Sequence, residues 1–133
     1  MRNNFQRLAE ALLKEGQKDK CIQVLNKCIE EIPANKVPYD YFSVQIAKTY
    51  LEAGANEKAN QLIRDESKEF SDELKYFYSF NSREIASFDE DIRSSLYFLN
   101  ELQTLAEKSG NTDLQSQIKT SFDKYYNQLI KQQ

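Results

Sequence analysis

Histidine and tryptophan are absent from the 133 residues, and glycine, proline and cysteine number only three, two and two. Without histidine the chain lacks the side chain most used as a general base near neutral pH and as a metal ligand. Each glycine (Gly16, Gly54, Gly110) follows a predicted helix, so none is left for a loop that cradles a phosphate. Neither proline falls inside a periodic segment, and a chain so poor in breakers reads as nearly all helix. The longest apolar stretch, Leu96-Tyr97-Phe98-Leu99, is far too short to span a membrane. No apolar run follows Met1 to Arg7, so the start does not read as a secretory signal. Charge of one sign is also missing: 18 Lys and Arg against 21 Asp and Glu leave a net −3. That balance supplies no basic face for a phosphate backbone and disfavours nucleic acid as a partner. Cys21 and Cys28 lie seven apart on one predicted helix, about 10 Å along its axis. This is too far for a disulfide, and the pair reads as small core residues.

What is present is repetition. Gly16 and Gly54 are 54 − 16 = 38 residues apart, and Leu8, Ala9, Leu12, Cys21 and Leu25 answer at that offset to Ile46, Ala47, Tyr50, Ala59 and Ile63. Self-similarity at such a period marks a helix–turn–helix repeat. The first helix is predicted over about Asn3 to Glu15, with Phe5, Leu8, Ala9, Leu12 and Leu13 inward. The second runs from about Lys18 and closes at Pro33. Pro38 reads as the first residue of a third helix reaching Ala53. Asn56 caps a fourth that contains Phe70, and Ser71 caps a short fifth. Ser87 to Glu90 fits a capping box opening a sixth, which carries Ile92, Leu96, Leu99, Leu102 and Ala106 to about Ser109. Thr112 to Gln115 fits another, opening a seventh with Leu114, Ile118, Phe122, Tyr125 and Leu129.

No metalloprotease, P-loop, nucleophile-elbow or paired Cys-x-x-Cys motif occurs, and no catalytic, cofactor-binding or metal-binding residue is assigned. The adjacent carboxylates Glu30-Glu31, Asp65-Glu66 and Asp72-Glu73 read as solvated helix faces, since neighbours in a helix do not face each other. Asp89, Glu90 and Asp91 suit the positive end of a helix dipole. The run Tyr76-Phe77-Tyr78-Ser79-Phe80 puts rings on more than one side of a helix. Either that helix is packed between neighbours, or the rings form a patch that docks a partner.

These observations give an all-α fold of about seven helices, a right-handed helical-hairpin repeat. Its first hairpin resembles the tetratricopeptide pattern through Phe5-x2-Leu8-Ala9-x2-Leu12, Cys21-x3-Leu25 and Pro33. The second resembles it through Ser43-x2-Ile46-Ala47-x2-Tyr50 and Ala59-x3-Ile63, with Ser71 in the proline slot. The resemblance implies one helical-repeat domain over residues 1–133. Repeats occupy 5–33 and 42–71, a connecting helix and loop 72–91, and a divergent helical hairpin 92–131. It also implies a peptide- or protein-binding inner face, which would hold Gln6, Glu10, Val44 and Lys48, and Tyr41 joins them as a candidate partner-binding residue. Glu10 departs from the carboxylate clamp of many such domains, because it would repel a carboxylate. Tyr76, Tyr78 and Phe80 complete the candidate partner-binding set.

Longer strings resemble a second group. They are Asn4 to Leu12, Val37-Pro38-Tyr39-Asp40-Tyr41-Phe42, and Tyr97-Phe98-Leu99-Asn100-Glu101-Leu102 through Ala106-Glu107-Lys108. Together they are similar to the C-terminal soluble region of large bacterial polytopic membrane proteins whose membrane part is similar to protein O-mannosyltransferases. That resemblance implies a non-catalytic accessory or interaction domain on the extracytoplasmic face of the inner membrane, with the transferase chemistry elsewhere. A stand-alone cytoplasmic adaptor that binds a peptide or partner helix is the competing expectation.

Overall fold

A computed structural model describes residues 1–131, which contain seven helices and no strand. The chain forms two compact units, Met1–Ile63 and the residues from Arg64 onward. The first unit holds α1 (Arg2–Lys14), α2 (Lys18–Glu31), α3 (Tyr41–Glu52) and the start of α4 (Asn56–Phe77). The second holds the rest of α4, α5 (Ser82–Ser87), α6 (Asp89–Lys108) and α7 (Thr112–Lys131). No helix among the described residues is long and apolar enough to cross a membrane.

Three turns, α1 to α2, α3 to α4 and α6 to α7, are built the same way. Gly16, Gly54 and Gly110 sit at φ near +80°, a conformation that costs a residue with a Cβ about 1–2 kcal/mol. At the first turn Gly16 N donates to Leu13 O and Gln17 N to Leu12 O. At the second, Gly54 N donates to Leu51 O and Ala55 N to Tyr50 O. These bonds satisfy the carbonyls a helix end leaves open.

In the first unit α1 packs along α2 and against α3, and α2 also touches α3. Cys21, Leu25 and Cys28 of α2 and Ile46, Ala47 and Tyr50 of α3 are buried. Tyr50 Oη keeps a polar partner inside by donating to Asn26 Oδ1 at 2.7 Å. The buried stripe of α1 differs from the sequence expectation. It runs through Arg2, Gln6 and Ala9, while Phe5, Leu12 and Leu13 are half-buried and Leu8 is 52% exposed.

Arg2 explains the rotation. Its side chain is only 5% exposed. The guanidinium donates to the carbonyls of Ile32, Val37 and Pro38, lies 3.6 Å from Asp40 Oδ2, and sits over the Tyr39 ring. The link from α2 to α3 is thus tied to the first turn of α1. Pro38 is held in that link, so α3 starts later than predicted. Asp40 caps it, accepting from Ser43 N at 3.0 Å while Ser43 Oγ accepts from Asp40 N.

Three further boundaries move. Phe70 and Leu74 continue the buried stripe of α4 without a breaker, so the helix passes through Ser71 to Phe77. Ser87 does not cap α6, because its Oγ donates to Glu84 O in the preceding helix, and Phe88 takes the N-cap position without a side-chain bond. Asn111 caps α7 in place of Thr112, its Oδ1 accepting from Leu114 N at 3.1 Å. The inward residues expected of α6 are all buried, and so are those of α7 except Phe122, which is half-buried.

Two stability measurements follow from these contacts. A Cβ at Gly54 meets nothing within 4 Å, so its cost is backbone strain alone. Gly54→Ala is expected to lose about 1 kcal/mol in denaturant unfolding, and Gly54→Asn less. Arg2→Met leaves three linker carbonyls without their donor and should lose about 1–3 kcal/mol. Arg2→Lys should recover only part, since an ammonium cannot reproduce the fork.

Candidate interaction surface

The inner-face set does not remain together as an accessible surface. Gln6 lies on the Arg2–Gln6–Ala9 stripe and is buried, and Val44 is buried beside Ser43 on α3. Both are therefore lost to a ligand. The physical reason is the α1 rotation for Gln6 and simple apolarity for Val44. Glu10 is half-buried, while Lys48 and Tyr41 are exposed, the tyrosine ring standing edge-on to Phe42 at 5.5 Å.

The aromatic run behaves differently, because it ends one helix and turns into another. After Phe77 the backbone tightens, with Ser79 N donating to Tyr76 O and Phe80 N to Phe77 O. Asn81 then caps α5 by accepting from Glu84 N at 2.9 Å. This tight corner folds Phe88, at the end of α5, back onto the run. Its ring lies 4.9 Å from that of Phe77 and 5.3 Å from that of Phe80. Tyr76 stands edge-on to Phe80 at 5.1 Å and stays 59% exposed. Phe77, Phe80 and Phe88 are half-buried beneath it. Tyr78 points the other way, stacks on Tyr125 with rings 5.9 Å apart, and is half-buried. Burial, with Asp89 nearby, raises its phenol above the ordinary tyrosine range. The run is therefore part anchor and part surface. Phe88 belongs to it and was missed, since only the corner at Asn81 brings it within reach.

Along another face of α4 lies a column of carboxylates at helical spacing, Glu66, Glu69 and Glu73. Glu66 is fully buried and Glu73 half-buried, which corrects the solvated faces expected of Asp65-Glu66 and Asp72-Glu73. Glu73 accepts from Ser95 Oγ on α6 at 3.3 Å. Burial raises its carboxyl above the ordinary glutamate range, and Glu69 and Asp91 add to the effect against the Ser95 bond. No signal in the local sequence separates these glutamates from surface ones, because their burial depends on what packs over α4.

The remaining chemistry is quiet. Cys21 and Cys28 are buried and unbridged, and burial pushes both thiols up, away from the reactive thiolate. Among the described residues no three His, Cys, Asp or Glu side chains gather as a metal would require. No protein-family model, curated protein or solved structure matches the chain.

The raised carboxyl of Glu73 fixes the sign of a pH effect. Between its ordinary and its raised value the folded state holds more protons than the unfolded, so stability falls as pH rises through that window. Glu73→Gln removes this loss and keeps an acceptor for Ser95. The variant should melt higher than the parent at pH 7, and the two should converge as the pH falls well below the ordinary glutamate value, where both states of the parent are protonated.

Proposed function

We propose that the chain is a non-catalytic protein-interaction module. In this reading it has two tetratricopeptide-like hairpins and a divergent third, and forms the C-terminal, extracytoplasmic part of a glycosyltransferase-like bacterial membrane protein. The observation that carries the interaction role is the cluster around Tyr76. An exposed phenol braced by Phe77 and Phe80, with Phe88 beneath, offers a large amphipathic surface. It has little side-chain freedom left to lose, which is the character of binding hot spots. The repeated glycine turns support a hairpin repeat, and the lack of histidine supports a role without acid–base chemistry. The membrane setting rests on the resembling strings Asn4 to Leu12, Val37 to Phe42 and Tyr97 to Lys108.

A photo-crosslinking phenylalanine analogue at Tyr76, introduced in the native cell, is expected to give one discrete protein adduct that Phe80→Ser abolishes. If the adduct is a second copy of the chain, sedimentation should show a dimer that Tyr76→Ser/Phe80→Ser dissolves. A monomer with no adduct overturns the interaction role, and sugar transfer or hydrolysis by the purified chain overturns the non-catalytic one. Transmembrane segments encoded in frame upstream of Met1 are expected for the membrane setting. A ribosome-binding site with a start codon at Met1 favours the cytoplasmic adaptor.

A further inference from the structure

A crevice of about 290 Å³ in the second unit runs between facing stripes of α4 and α7. The α4 wall is polar throughout, which is unusual for a stripe turned toward a neighbouring helix. Arg64 and Lys68 stand one turn apart on its exposed rim, and Asp72 follows one turn further. Leu114 and Ile118 of α7 form a buried apolar floor, with the part-buried hydroxyls of Ser71 and Ser121 on opposite walls. Lys68 makes no ion pair among the described residues.

We infer that this crevice binds an extended peptide segment with acidic residues over Arg64 and Lys68 and a basic residue opposite Asp72. A net-positive groove on a chain of net charge −3 is a local reversal of sign, which steers an acidic segment to this place. The dimensions suit a peptide. Arg64 to Asp72 covers about 12 Å along the helix, the length of about four extended residues. The floor accepts the aliphatic stems of such residues, and the serine hydroxyls can donate to or accept from its backbone. A free phosphate fits less well, because the donors are spread along the crevice instead of converging on one point. The site lies apart from the aromatic cluster, so Tyr76→Ser/Phe80→Ser should leave peptide binding unchanged and the two proposals fail separately.

The test is fluorescence anisotropy on the full chain, with a labelled extended peptide carrying glutamates at two alternate positions and a lysine two positions further on, the spacing that puts all three on one side. Saturable binding is expected, weakening with salt. Lys68→Glu, or glutamines in place of the peptide's glutamates, should each weaken it about tenfold, the scale of one charge-assisted hydrogen bond. Reversing the peptide's charge order should also weaken it, and Asp72→Asn should remove that preference. Lys68 is exposed, so the variant is expected to fold, with circular dichroism as the check. The inference is overturned by no saturable binding at millimolar peptide, or by equal affinity for the glutamine peptide or for a folded Lys68→Glu protein. Displacement by equimolar sodium phosphate also overturns it, by reassigning the crevice to a small anion.

Discussion

The link between α2 and α3 depends on one guanidinium. Carbonyls of a link that turn toward the protein need donors as surely as those of a helix. Here Ile32, Val37 and Pro38 receive theirs from Arg2. Because that side chain must turn inward, the face of α1 bearing it turns inward too. Gln6 and Ala9 are buried with it, and Leu8 is left in water. The same residue lies beside Asp40, whose carboxylate also caps α3. One side chain near the start of the chain thereby sets the rotation of α1 and holds the residue that starts α3. A lysine or an apolar residue there could satisfy the charge or the packing, but not three carbonyls in a fan.

Much of the helical layout was legible because it rests on local rules. A glycine that must adopt positive φ ends a helix wherever it falls, and Gly16, Gly54 and Gly110 do so. Stripes at 3.6-residue spacing bury as expected in α6 and most of α7, and in α2 through Cys21, Leu25 and Cys28, whereas Ile22 and Ile29, also expected inward, are half-buried and exposed. The failures share one cause, a long-range partner that outbids a local preference. Arg2 displaced Phe5 and Leu8 from the core face of α1. Ser87 had two backbone groups to choose from and bonded the helix behind it. Glu66 looked like half of a solvated pair and is fully buried. For the candidate surface, the run at Tyr76 was legible, while Phe88 and the burial of Gln6 and Val44 were not. Those depend on a corner and a rotation that no window of sequence contains.

The second half of α4 shows why a polar helix can still be well held. From Arg64 onward it presents three different stripes. Phe70 and Leu74 supply the apolar one, Phe70 meeting Phe98 of α6 at 5.1 Å. Glu66, Glu69 and Glu73 lie to one side, and Arg64, Lys68 and Asp72 line the crevice on the other. An amphipathic helix needs only the first of these to stay folded. The acidic column works against stability, as the raised carboxyl of Glu73 records.

That opposition bears on what the chain is for. Stability alone would favour apolar residues at Glu66 and Glu73, since replacing buried polar groups with well-packed apolar ones is commonly neutral or stabilising. Of the two, only Glu73 keeps part of its surface open to solvent, because Glu66 is fully buried. The aromatic corner gives up something different, leaving Tyr76 in water on top of a packed cluster. Ring surface and charged crevice are complementary in chemistry. The rings offer apolar contact and the crevice offers charge, and the two share no residue, so neither depends on the other.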